Sequence, residues 1–218
     1  MTTVTGLKSI NKLLEGKNVQ PVGSRVRWLK LEDGQSVKIR LMNELDEDSK
    51  YYDESRGLAI IVKEHSNPKD YRRKAVDTMD SEGRDWAEEQ YRKDPKNGAG
   101  WKARLRFYIN VIVDTGTESP YVAVWSMGVA KSSTFDIIRE YAMESEGVTN
   151  MTWKLKRNGR GTETSYVLIP GERDREPFDW SMYKTYSLEA AVNNIPYADQ
   201  EAFYLGYDNP LVSSNAEW

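Results

Sequence analysis

The 218-residue chain has no cysteine, a single histidine and no long apolar run. Without cysteine it can form neither disulfides nor thiolate metal sites. The histidine, His65, has no serine, cysteine or close acid at a spacing typical of a nucleophile or proton relay. The lack of an apolar run of about 20 residues predicts no transmembrane helix, and the first residues lack the apolar core of a secretory signal. We therefore expect a cytoplasmic protein.

Charge is distributed unevenly along the chain, although the net charge is only −3. Residues 1–30 hold six basic residues and one acidic residue, whereas residues 171–218 hold three basic and nine acidic residues. We interpret residues 1–24 as a basic arm and residues 171–218 as an acidic region with short helices. Asymmetry of this kind is a hint of nucleic-acid binding.

Alternating apolar and polar residues predict a mainly β fold between residues 25 and 170. Strand patterns at 37–41, 104–113 and 121–126 precede a helix pattern at 133–147, and strand patterns follow at 151–157 and 165–169. This order is that of an OB fold, a five-stranded barrel that leaves one face for oligonucleotides or oligosaccharides. We predict such a core at 25–170, with small helical additions and a large inserted subdomain at about 43–102.

Basic residues occupy the face opposite the predicted core on three of these strands, with no acidic residue among them. Guanidinium and ammonium groups neutralise phosphates, and exposed aromatic rings stack on unpaired bases of any identity. A solvated cationic face beside acidic loops is the alternative interpretation. The pattern predicts contacts to single-stranded DNA by Lys38, Arg40, Arg104, Arg106, Tyr108, Asn110, Trp125, Lys154 and Lys156.

Carboxylates in the insertion, Asp46-Glu47-Asp48 and Asp53-Glu54, raise the alternative of a magnesium-dependent nuclease. Adjacent carboxylates on an irregular stretch point in different directions, so a solvated loop is the favoured interpretation. No phosphate-binding loop motif occurs, and nothing in the sequence requires an enzyme. We predict a binding protein without catalysis. An OB-type protein-interaction module is the third alternative.

Four short segments carry a resemblance to a known family: GQSVKIRLMNE at 34–44, RLRFYINVIVDTG at 104–116, YVAVWSMG at 121–128 and WKLKRNG at 153–159. They resemble the single-stranded DNA-binding proteins of tailed bacteriophages, typified by the helix-destabilising protein of T-even phages. YYDESRGL at 51–58 and IPYADQEAFYLG at 195–206 resemble a branch in phages of actinobacteria.

The resemblance implies an OB fold that coats single strands during phage DNA replication, recombination and repair in the host cytoplasm. It implies a cleft lined by tyrosine and basic residues, with Tyr108, Trp125 and Tyr166 as stacking aromatics and Arg104 and Arg106 at its basic approach. It also implies cooperative self-association through the N-terminal arm and contacts with replication or recombination proteins through the C-terminal region. No membrane partner is expected.

Family members build a structural zinc site in the insertion from one histidine and three cysteines. Here His65 is retained, but Ala75, Asp85 and Glu88 stand at the cysteine positions. Because one of these has no ligand atom, we predict that no zinc or other cofactor is bound. The insertion is then expected to be held by packing around Met79, Trp86, Tyr91 and Trp101.

Overall fold

The computed structural model describes residues 25–130 and 133–207. The predicted basic arm at 1–24 and the last part of the acidic region, 208–218, lie outside the described residues. The described strands are β1 (Ser36–Leu41), β2 (Ile60–Asn67), β3 (Asp70–Val76), β4 (Arg104–Asp114), β5 (Tyr121–Gly128), β6 (Met151–Asn158) and β7 (Ser165–Arg173). The helices are α1 (Met79–Glu82), α2 (Trp86–Lys93), α3 (Thr134–Glu144), α4 (Leu188–Ala191) and α5 (Tyr197–Leu205). The prediction of a mainly β fold is confirmed.

All seven strands belong to one antiparallel sheet in which β4 is central. One edge of β4 pairs with β5 along most of its length. Its other edge pairs with β2 near its start and with β1 near its end. From β1 the sheet continues through β6 to β7, and from β2 it continues to β3. The insertion therefore extends the main sheet through β2 and β3.

The main core lies on one face of this sheet, because the apolar residues of each strand repeat with the strand period of two. Alternate residues of β1, β4, β5 and β6 meet there, and α3 covers them with Phe135 and Ile138. Trp125 of β5 and Trp153 of β6 supply the largest side chains. Each buried large apolar side chain contributes about 1.5–3 kcal/mol.

The segment after β7 covers the opposite, outer face of the central strands. Phe178, Trp180 and Tyr183 pack near Met42 and Ile112, in the middle of that face. Farther along, Leu188 and the stretch before β1 cover the outer face of β4 around Tyr108. The C-terminal region up to residue 207 is thus an integral part of the fold.

A second, smaller core joins the insertion to the last helix. Ala75, Ala87, Ile195, Phe203 and Tyr204 are buried together, and Trp86 and Trp101 pack against them. Met79 and Tyr91, which we also expected in this cluster, are half-buried and are not among its members. The longest described helix has 11 residues, and no helix in residues 25–130 and 133–207 has the length and apolarity to cross a bilayer.

Candidate nucleic-acid interface

A cationic cleft of about 430 Å³ lies between the β2–β3 hairpin and the start of β4. Its lining contains five basic residues and one carboxylate. A polyanion in this cleft would meet a concentrated positive charge. The lining residues are Glu64, Ser66, Tyr71, Arg72, Lys74, Gly100, Lys102, Arg104 and Arg106.

Strand register places the basic residues on the outer face of the sheet. Arg104 lies opposite Glu64, and Lys74 lies opposite Ser66. Gly100 packs closely against Pro68. A Cβ on Gly100 would lie 2.6 Å from the Cβ of Pro68, so only glycine fits there. The cleft is therefore built by residues from three separate stretches of the chain.

Two of the cations are available to an incoming anion. Lys102 and Arg104 are exposed and form no ion pair within the described part of the chain. Arg106 is partly engaged, since it donates to Ser126 Oγ at 3.1 Å and its Nε lies 3.7 Å from a carboxylate oxygen of Glu64. Arg72 donates to Asp70 at 2.9 Å, and that hydrogen bond lowers the pKa of the Asp70 carboxyl.

Tyr71 supplies an open ring at the rim of the cleft. Its side chain is 72% exposed, although tyrosine usually buries most of its ring. It lies on β3, which pairs with β2 alone among the described strands. A ring in this position offers a flat face to an unstacked base without any rearrangement of the core.

The floor of the cleft is a buried polar network of Glu64, Lys74 and Tyr108. The Tyr108 hydroxyl donates to Glu64, and the Lys74 ammonium donates to Tyr108 Oη at 3.1 Å. Burial lowers the pKa of Lys74 to about 7, with a further contribution from nearby Arg106, although Glu64 opposes the shift. Burial also raises the pKa of Tyr108, so its hydroxyl stays neutral.

Two predicted stacking rings are not exposed. Tyr108 is 0% exposed and supports the floor of the cleft, and Trp125 is 3% exposed and fills the main core. The prediction that both rings are open to bases is therefore wrong. Tyr166 is half-buried and contacts Trp125, with ring centroids 6.2 Å apart. Tyr108 is buried because the outer face of β4 is covered, and Trp125 is buried because it packs in the main core.

Two further predicted contacts, Arg40 and Asn110, lie beneath the C-terminal segment. Arg40 donates two hydrogen bonds to Asp174, at 2.5 and 2.8 Å, and its guanidinium stacks on Phe178. Asn110 donates to the carbonyl of Tyr186 at 3.0 Å. Their predicted exposure to DNA is wrong, because the segment after residue 173 uses them as its anchors.

Lys38, Lys154 and Lys156 are exposed, but they form a separate lysine patch on β1 and β6. Lys38 lies opposite Lys154 on one side and opposite Asp114 on the other. Arg104 and Asp114 lie at opposite ends of β4. At about 3.3 Å per residue they are about 33 Å apart. Of the ten predicted contacts, only Arg104 and Arg106 line the cleft, and Tyr108 lies beneath it.

A buried cluster of His65, Asp77 and Asp85 lies in the insertion, with one ligand atom of each within 4.8 Å of the others. His65 Nε2 lies 3.1 Å from a carboxylate oxygen of Asp77 and 3.4 Å from one of Asp85. Its Nδ1 lies 2.5 Å from the carbonyl oxygen of Trp101. Asp77 also pairs with Lys63 at 2.7 Å, which lowers the pKa of its carboxyl against the opposing effect of burial.

These residues do not fit the four-ligand zinc site that the family resemblance implies. Ala75 has no ligand atom, and Glu88 forms a 2.8 Å ion pair with Arg92. Both oxygens of Asp85 already accept hydrogen bonds, from the backbone amides of Glu88 and Thr78. A metal ion would have to displace these bonds and would still lack a fourth protein ligand.

Two of the five carboxylates that suggested a nuclease, Asp46 and Asp53, cap turns. Asp46 accepts from the backbone amide of Asp48, and Asp53 accepts from Ser55. The cleft residues that sequence analysis missed are Tyr71, Arg72, Lys74 and Lys102. The signal for three of them was the segment DYRRK at 70–74, a tyrosine among basic residues.

No family model matches the chain, and searches of curated proteins and of solved structures give no match.

Proposed function

We propose that the cationic cleft binds single-stranded DNA without sequence preference. The observation that carries this proposal is the pairing of an exposed ring, Tyr71, with two unpaired cations, Lys102 and Arg104, on one open cleft. Phosphates neutralise the cations, and a base stacks on the ring whatever its identity. A duplex keeps its bases stacked on each other, so it gains from the charges alone.

We also propose that β1, β4, β5, α3, β6 and β7 form an OB barrel. Their order and the pairings β1–β4, β4–β5, β1–β6 and β6–β7 are those that this fold requires. Trp125 of β5 and Leu168 of β7 share the main core, as expected for strands that face each other across a barrel. Among the described residues no ladder joins β5 to β7, so this barrel is open at that seam.

The four family-like segments support a wider proposal for the protein's role. In it the chain coats single strands during phage DNA replication, recombination and repair in the host cytoplasm, self-associates on DNA and contacts phage replication or recombination proteins. The insertion folds without zinc in this proposal, since its buried cluster has satisfied donors and acceptors.

Titration of oligo(dT) into the protein, followed by fluorescence anisotropy at several salt concentrations, tests the binding site. Arg104→Ala should weaken binding and reduce the slope of log affinity against log salt by about 0.7, the value of one phosphate contact on a single strand. Lys154→Ala is the control, because it removes an exposed cation from the lysine patch. Tyr71→Ala should cost about 1–3 kcal/mol of binding free energy, and Tyr71→Phe should keep the affinity because it keeps the ring.

Equal binding of duplex and single strands would contradict the proposal. If Lys154→Ala weakens binding and Arg104→Ala does not, the DNA lies on the lysine patch and the cleft is the wrong site. Incubation of the labelled strand with Mg²⁺ or Mn²⁺ tests the nuclease alternative, since a binding protein leaves the strand intact. Absence of oligonucleotide binding at low salt would favour the protein-interaction module.

A further inference from the structure

Lys74 has the surroundings of a reactive amine. It is only 7% exposed, yet it lines the cleft together with Glu64. The rings of Trp28 and Tyr108 lie 5.8 and 5.3 Å from its nitrogen, and Arg106 adds positive charge nearby. Desolvation and a neighbouring cation are the two conditions that leave a lysine neutral and nucleophilic near pH 7.

Glu64 supplies a carboxylate at the same place. Its side chain is 2% exposed, and its Oε2 lies 4.0 Å from the Lys74 nitrogen. Oε1 accepts from the Tyr108 hydroxyl, whereas Oε2 has no hydrogen-bond partner among the described residues. A buried carboxylate oxygen without a donor is costly to keep, and a catalytic role is one explanation for such a group.

We propose that Lys74 forms an imine with the aldehyde of an abasic site in a single strand held in the cleft, with Glu64 as the base for strand cleavage. This inference rests on the proposed function, because the strand must first bind in the cleft. It adds chemistry to a site that binding alone would not require. An abasic site is the fitting substrate because its open-chain sugar carries an aldehyde and has no base to obstruct the approach to the floor.

The proposed reaction balances without an oxidant or a reductant. The neutral Lys74 amine adds to the C1′ carbonyl carbon of the sugar, the carbonyl oxygen leaves as water with the two amine hydrogens, and the imine takes up one proton from solvent. Glu64 removes a proton from C2′, the electron pair forms the C2′–C3′ double bond, and the C3′–O bond breaks to release the 3′ phosphate. Water then hydrolyses the imine, which frees an unsaturated aldehyde and regenerates the amine.

Borohydride trapping tests this proposal, with a labelled oligo(dT) that carries a central abasic site as the probe. Borohydride reduces an imine to a stable secondary amine, so the wild-type protein should become covalently attached to the strand. At pH 7 an ordinary lysine is almost wholly protonated, so Lys74 should react on the order of 10- to 100-fold faster than surface lysines after allowance for its lower basicity. The trapping rate should rise to a plateau near pH 7 to 8, whereas a surface lysine keeps gaining rate to higher pH.

Two variants and a peptide map assign the result. Lys74→Arg should lose trapping even at oligo(dT) concentrations that saturate its binding, and Glu64→Gln should trap without cleaving the strand. Mass spectrometry of the digested wild-type adduct should find the modification on Lys74, which answers the question even if a variant fails to fold. Oligo(dT) binding without trapping, or adducts spread over surface lysines, would overturn the inference while the proposed function stands. Absence of oligo(dT) binding would instead overturn the proposed function.

Discussion

The burial of Lys74 predicts a distinctive dependence of stability on pH. Its pKa is about 7 in the folded protein and 10.5 in the unfolded chain, with desolvation as the main cause. Between these values the unfolded chain binds more protons, so the free energy of unfolding rises with pH. Each unit contributes at most about 1.4 kcal/mol, which gives about 2–3 kcal/mol between pH 7 and pH 9. Below pH 7 Lys74 is protonated in both the folded and the unfolded state, so it no longer makes the free energy of unfolding depend on pH.

Urea denaturation of the wild type and of Lys74→Met at pH 6, 7, 8 and 9 measures this effect, since methionine fills the same space without a charge. The difference between the two proteins isolates Lys74 from other titrating groups. We expect the unfolding free energy of the wild type to gain on that of Lys74→Met as the pH rises above 7. A constant difference across the range would refute the reasoning, because it would mean that the Lys74 amine is solvated and keeps its ordinary pKa.

Two further predictions concern the interior. Trp125→Ala should cost about 3–5 kcal/mol of unfolding free energy, as expected for a buried aromatic residue. At a temperature where the variant is folded, its oligo(dT) affinity should equal that of the wild type. A loss of affinity in the folded variant would mean that Trp125 contacts the DNA. Metal analysis of protein purified without chelator should find no stoichiometric zinc, because Ala75 has no ligand atom and both oxygens of Asp85 already accept backbone hydrogen bonds. Stoichiometric bound zinc would contradict this view of the cluster.

The strand order of the main core was predictable because its pattern is local. In β4 the charged residues Arg104 and Arg106 alternate with large apolar residues, and that alternation alone identifies a strand and its two faces. The helix α3 and the strands β6 and β7 also fall where their patterns predict. Each of these assignments depends on neighbours a few residues apart in the sequence.

The side of β5 that faces the core could not be predicted in the same way. Val122 and Val124 lie on one face and Trp125 on the other, and all three are buried. A strand covered on both faces is apolar throughout, so periodicity separates the faces without telling which is interior. The cover on the outer face comes from residues such as Phe178, which are distant in sequence. Its presence was hidden because that region is acidic and rich in polar residues.

This cover explains why the cleft, and not the whole cationic face, is the candidate site. Basic residues on the outer face extend from Arg104 at one end of β4 to Lys38 near the other, about 33 Å away. The C-terminal segment occupies the middle and neutralises Arg40 with Asp174. Both ends carry exposed basic residues, but in the described part of the two ends only the cleft also has an exposed ring, Tyr71. Charge alone cannot distinguish a single strand from a duplex, whereas a ring that needs an unstacked base can, and for this reason we propose the cleft as the binding site.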